Sequence, residues 1–352
     1  MAEPNHRLQF TLLQAGRGVA ALLVVFYHLG SEIFGNPKFW SVRVDGGLFS
    51  FGHQGVAFFF VLSGFIILHA HLDELGRPKR WGQYVYKRAM RIYLPYWLVL
   101  FPLIAVYIAY PALGKPTISS PAVMLNSPLL IGGNSRSTLA VAWTLFHEVT
   151  FYAIFGVAVL HRGIGTALLI TWQLACALSL ASLTPLHYSL DPINLLFGMG
   201  MIARLVIVRW TIPVPRIVML AGMAIFASLG AIVDYSHLIG GYTSSILFGL
   251  SSFLLLVGGV EAERRGLITA PVALRRLGDA SYAIYLVHFP VLSMLARILH
   301  VGPLSDIPAP IAYLLLATGA ISAGLIFHQL AEKPMQRRIS RYQGKRGLRA
   351  AL

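Results

Sequence analysis

The chain has 352 residues, 57% of them apolar and only 12% charged, with a mean hydropathy of +0.70. This composition excludes an ordinary soluble domain, and recurrent apolar runs of about 20 residues point to an all-α, polytopic membrane protein. In a soluble protein the net charge of +15 would suggest a nucleic-acid partner, but no nucleic-acid motif accompanies it and its distribution follows membrane topology instead.

Ten spans are predicted, at 12–30, 53–72, 93–110, 138–160, 164–183, 190–209, 216–234, 242–260, 278–300 and 309–330. Lys and Arg concentrate on every second connecting segment. Six lie in 73–92 and seven after 330, against two each in 31–52 and 111–137 and none in 184–189, 235–241 or 301–308. The positive-inside rule then places both termini in the cytoplasm, with the basic surface against anionic lipid. The run 121–133 is apolar enough to dip into the membrane but is short and carries Pro121, Asn126 and Pro128. The first apolar run lacks an evident cleavage site and reads as a permanent span. The single cysteine, Cys176, reads as a small core residue. Without repeats or Ser-rich linkers, residues 1–352 read as one integral-membrane domain with a basic cytoplasmic tail at 331–352 and no soluble extracytoplasmic domain.

The first span carries Arg17 and His28, and an ionisable residue at bilayer depth is a functional hypothesis by default. Eleven helical steps of about 100° bring both side chains to one face, about 16 Å apart along the axis. The second span holds Phe58, Phe59 and Phe60, which read as packing, and Ser63-Gly64, small residues that let helices approach closely. Ahead of the third span, Arg88 and Arg91 share a helix face beside Lys87, a donor cluster suited to phosphate groups.

The fourth span contains Trp143, His147 and Glu148, the last being the only acidic residue in the middle of any predicted span. Such a carboxylate must be protonated, paired or turned to a polar cavity, and its candidate partners are Arg17, His28 and His288. Spans five to eight are poor in ionisable groups, with glycines such as Gly198, Gly200 and Gly258 at packing positions. In the ninth, Ser281, Tyr285 and His288 form one polar stripe at i, i+4 and i+7. The charges of the tail, from Glu332-Lys333 on, read as solvated and lipid-facing.

The polar set contains no Walker loop, metal cluster or Gly-x-Ser-x-Gly elbow. An imidazole, a carboxylate able to orient it and cations at the inner mouth amount to a general-base or nucleophile site with an anion-binding entrance. From the residues alone, group transfer and proton-coupled transport both stand. A flippase of lipid-linked saccharides and a structural subunit of an export complex are the rivals, and the internal symmetry that would favour a transporter is not seen.

Six motifs in order carry a resemblance over nearly the full length. They are Arg17-x10-His28, Gly55-Val-Ala-Phe-Phe-Phe-Val-Leu-Ser63-Gly64-Phe65, Arg88-x-x-Arg91 followed by Pro95, Trp143-Thr-Leu-Phe-His-Glu148, Ser281-Tyr282-x-x-Tyr285-Leu-x-His288, and Glu332-Lys-Pro334. The chain resembles the family-3 membrane acyltransferases, bacterial integral-membrane O-acyltransferases. Thr144 stands where that family more often has Ser. The resemblance implies transfer of an acyl group, usually acetyl from acetyl-CoA and without a metal, to a hydroxyl of a membrane-associated, lipid-linked carbohydrate such as an exopolysaccharide unit. It implies His28 as the catalytic base or acyl acceptor, with Arg17 stabilising charge or positioning the donor and Glu148 orienting the imidazole. Arg88, Arg91 and Ser63 would meet the acyl-CoA, and Tyr285, His288, Ser281 and Trp143 would support the substrate. A multi-pass protein of the bacterial inner membrane is implied, which either acylates the acceptor itself or leaves separate polysaccharide-assembly proteins to finish the job.

Overall fold

A computed structural model of the chain describes residues 10–130, 136–181, 187–236, 241–300 and 306–339, with only the backbone of 116, 181 and 233–236. The described residues hold no strand. Eleven helices organise them: α1 (Thr11–Tyr27), α2 (Gly55–His71), α3 (Pro78–Ala109), α4 (Trp143–Leu160), α5 (Arg162–Leu178), α6 (Leu195–Arg209), α7 (Pro215–Ser236), α8 (Gly241–Arg264), α9 (Val272–Asp279), α10 (Ser281–Leu299) and α11 (Ala309–Phe327). Nine described helical segments are long and apolar enough to cross a membrane. The remaining predicted span, the fifth at 164–183, falls on α5, which has 17 residues, and its predicted end lies outside the described residues.

α1 is the hub, packing against α2, α8, α9, α10 and α11. Its N-terminus is held by a carboxylate from α8: Glu263 accepts the backbone N–H of Thr11 at 2.6 Å and of Leu12 at 3.1 Å, together with the Thr11 hydroxyl. The first N–H groups of a helix have no partner within it, so an anion placed there satisfies donors and the helix dipole at once. At the other end the backbone widens directly into a π-helical turn, His28–Phe34, whose first residue is His28. A second π turn, His328–Glu332, continues α11, and the chain stays helical to residue 339.

Close approach of α2 and α6 needs glycine. A Cβ on Gly200 would meet the Val61 carbonyl, and one on Gly64 the Phe197 carbonyl. The apolar cores are continuous bands of buried side chains, one spanning α2, α3, α4 and α6 and one joining the second half of α1 to α10 and α11.

Four predicted boundaries change. The third span begins at Pro78 rather than 93, because the basic segment and the apolar run form one uninterrupted helix of 32 residues with Pro95 and Pro102 inside it. The ninth splits at Ala280, so Gly278 and Asp279 end α9 and Ser281 opens α10. The run 121–133 is pinned to α3, whose Tyr96 hydroxyl and Trp97 indole donate to the carbonyls of Ser127 (2.9 Å) and Pro128 (2.8 Å); residues 131–133 lie outside the described set. The tail predicted from 331 starts as buried helix. Glu332 is 1% exposed, accepts from His328 Nδ1 at 2.7 Å and from Gln336 at 2.8 Å, and is neither solvated nor lipid-facing; residues 340–352 lie outside the described set.

Candidate active site

The segments that lead with polar residues converge at one end of the bundle. Arg17 lies six residues into α1, Arg88 and Arg91 lie on the first half of α3, and Ser281 opens α10. Between them and the second half of α2 lies a cavity of about 260 Å³. Seven predicted site residues line it: Arg17, Ser63, Arg88, Arg91, Glu148, Ser281 and Tyr285. Phe59 and Phe60 line it too, so these rings do more than pack. Three predicted residues do not: His28, His288 and Trp143.

Several of the polar lining groups are held in place. Arg17 Nε donates to Ser281 Oγ at 3.1 Å, a contact made by the break at Ala280. Glu148 receives the Ser63 hydroxyl at 3.3 Å and, on the same oxygen, the hydroxyl of Tyr152 one turn further along α4. The Tyr285 hydroxyl donates to the Val141 carbonyl at 2.9 Å and lies 3.1 Å from Thr144 Oγ1. Three arginines and one glutamate face the cavity, and among the described residues none of Arg17, Arg88 and Arg91 forms an ion pair with a carboxylate. The cavity therefore carries an uncompensated positive charge in a setting where water screens poorly, which suits an anionic ligand.

Glu148 does not orient His28. Its carboxylate is engaged by Ser63 and Tyr152, and His28 lies further along α1, beyond the cavity lining. The partner of His28 is His288, with His28 Nδ1 3.3 Å from His288 Nε2. A carbonyl oxygen can only accept, so the contacts of His28 Nδ1 with Val24 O (2.9 Å) and of His288 Nδ1 with Ile284 O (3.0 Å) place a proton on both Nδ1 atoms. His288 Nε2 is then an acceptor for the His28 N–H. His28 Nε2 keeps its lone pair, with no hydrogen-bond partner among the described residues. Tyr27 and Phe289 flank the His28 ring at 5.1 and 5.0 Å.

The stripe on α10 links the two levels. Ser281 and Tyr285 face the cavity, and His288, one turn beyond Tyr285 with ring centroids 5.9 Å apart, faces His28. Trp143 is 36% exposed and packs edge-on against Phe60 and His147. His147 is buried on Asn194 Oδ1 at 3.0 Å, a packing role.

Sequence reasoning missed Tyr152 and His71 and quoted Tyr282 in a motif without giving it a role. Tyr152 was detectable, because it follows Glu148 by four residues and so shares its face. Tyr282, whose hydroxyl donates to the Ile92 carbonyl at 2.9 Å, and His71, which accepts from Arg88 at 2.8 Å, have partners fixed only by tertiary packing. No group of three or more metal-ligating side chains occurs among the described residues.

A family model described as an acyltransferase domain matches residues 11–329. Three curated relatives show how far the similarity extends. The exopolysaccharide production protein ExoZ of Rhizobium meliloti (strain 1021) is 28% identical, over 85% of this chain and 94% of the relative. The O-acetyl transferase of Shigella phage Sf6 is 27% identical, over 81% and 86%. The acyltransferase MdmB of Streptomyces mycarofaciens is 27% identical, over 96% and 94%. No solved structure matches. The chain belongs to this acyltransferase family, and it is a multi-pass, all-helical membrane member of it.

Proposed function

We propose that this family-3 membrane acyltransferase moves an acyl group, acetyl from acetyl-CoA, to a hydroxyl of a membrane-associated carbohydrate. The observation that carries the proposal is the arginine-lined cavity continued by Ser281, Tyr285 and His288 to the free Nε2 of His28. The names of the relatives from R. meliloti and phage Sf6, one an exopolysaccharide production protein and one an O-acetyl transferase, support a saccharide acceptor and an acetyl donor.

In this reading both termini and the arginine-rich mouth face the cytoplasm of a bacterial cell, and the inner membrane is the site of action. Arg88 and Arg91 meet the donor phosphates, and Arg17 and Ser63 line the path of its acyl arm. His28 Nε2 takes the proton of the sugar hydroxyl as its oxygen attacks the thioester carbonyl. The C–S bond breaks, and the imidazolium returns its proton to the departing thiolate. His288 Nε2 accepts from His28 Nδ1 and stabilises the imidazolium as it forms. Tyr285 lines the cavity and its ring lies 5.9 Å from that of His288, beside the path from the cavity to the imidazole pair.

The test is product analysis of surface glycans by mass spectrometry, comparing cells that carry the wild-type gene, the His28→Ala gene and no gene. Loss of one acetyl substituent in both altered strains is the expected result. Glycans identical in all three strains would overturn the proposal.

A further inference from the structure

The group behind Arg88 belongs to no motif read from the sequence. His71, at the end of α2 and 3% exposed, lies with Nε2 2.8 Å from Arg88 Nη2, while its Nδ1 lies 2.6 Å from Glu74 Oε2. A guanidinium has no acceptor, so His71 Nε2 must accept and the His71 proton sits on Nδ1, given to Glu74. Tyr84 and Phe155 wall the ring at 4.9 and 6.4 Å, and Lys87 is the remaining charge acting on it. The guanidinium is fixed on its other face by the Tyr152 ring, 5.7 Å from its carbon. Among its other donors, Arg88 Nε is a buried N–H with no partner among the described residues, in a side chain that lines the cavity. Buried donors are normally satisfied, so an orphan at a cavity wall marks where a ligand acceptor belongs.

We infer that His71, set by Glu74, is a positioning residue that presents the free edge of Arg88 to a phosphate oxygen of the donor. The inference rests on Arg88 as a donor-phosphate contact. A long side chain loses rotamer freedom on binding, and His71 removes that cost in advance.

The test is equilibrium titration of the purified full-length protein in lipid nanodiscs with acetyl-CoA and with acetyl-pantetheine, which lacks the phosphates. His71→Leu should weaken acetyl-CoA about five- to tenfold, the net worth of one hydrogen bond. His71→Gln, which keeps an acceptor, should restore most of the affinity, and acetyl-pantetheine should bind all variants alike. Adding His71→Leu to Arg88→Ala should cause no further loss, because His71 acts through Arg88. Glu74→Ala, at a partly exposed carboxylate, should weaken acetyl-CoA in the same direction and serves if His71→Leu fails to fold. Additive losses, equal loss in the Gln and Leu variants, or unchanged affinity in His71→Leu with weakened binding in Arg88→Ala would overturn the inference alone. Unchanged affinity in Arg88→Ala itself would overturn the phosphate role of Arg88 as well.

Discussion

His28 Nδ1 stands 3.3 Å from His288 Nε2, and each ring is tied through its own Nδ1 to a carbonyl one turn earlier on its helix. Two imidazoles on α1 and α10 are thereby set in one tautomer each, and the free lone pair of the pair belongs to His28 Nε2. A general base needs that arrangement, and Ser281 and Tyr285 on the same stripe of α10 face the cavity.

His28→Ala should lower acyl transfer at least about a hundredfold, the usual weight of a general base, while acetyl-CoA binding persists. Because the neutral ring is the working form, the wild-type rate should fall as pH drops through the imidazole titration. Acceptor acylation in membranes, followed by mass spectrometry across pH, reads both outcomes; full activity in the variant would remove His28 from the chemistry.

His288→Leu takes away the acceptor behind His28 Nδ1 and should slow turnover about five- to tenfold with donor affinity unchanged. His288→Gln, whose side-chain oxygen can accept, should retain most of the rate. A Leu variant that lost donor affinity rather than turnover would place His288 in the cavity's service instead.

Arg91→Ala should weaken acetyl-CoA about tenfold, and the residual binding should respond less to added salt. Isothermal titration at two ionic strengths gives the answer. An unaltered dissociation constant would return Arg91 to a purely topological role.

Glu263→Gln removes the carboxylate that satisfies Thr11 and Leu12. A loss of about 1 kcal/mol is expected from the helix N-terminus, read as a lowered thermal midpoint in detergent with donor affinity preserved. An unmoved midpoint would show that the carboxylate contributes nothing net.

Gly200→Val sets a branched side chain against the Val61 carbonyl. Overpacking of this kind costs about 1–3 kcal/mol, so the variant should melt earlier than Gly82→Ala, whose site is open. Equal midpoints for the two would mean that α2 and α6 separate freely.

Much of the site was legible because membrane helices are long and their polar residues few. Arg17, Ser63, Arg88, Arg91, Glu148, Ser281 and Tyr285 stand out against apolar surroundings, and the structure brings all seven to one cavity. Partner choice was not legible. α2 and α11 are apolar nearly all round, so their sequences fix length but not rotation or neighbour. That is why Glu148 was paired with His28 when Ser63 and Tyr152 hold it. It is also why Glu263, 252 positions from Thr11, could not be seen as its cap. The break at Ala280 carries no proline, and only the contact of Ser281 with Arg17 shows its use.

The unbroken 32 residues of α3 extend about 48 Å against a hydrocarbon thickness of about 30 Å, so roughly a third of the helix stands clear of the lipid tails. In the orientation proposed above, with Pro78 toward the cytoplasm, Arg88 and Arg91 ride near headgroup depth. On the proposed reading the phosphates of a nucleotide-bearing donor then stop at the headgroup level and only an uncharged arm need travel inward, so the insulating layer is never breached by a phosphate.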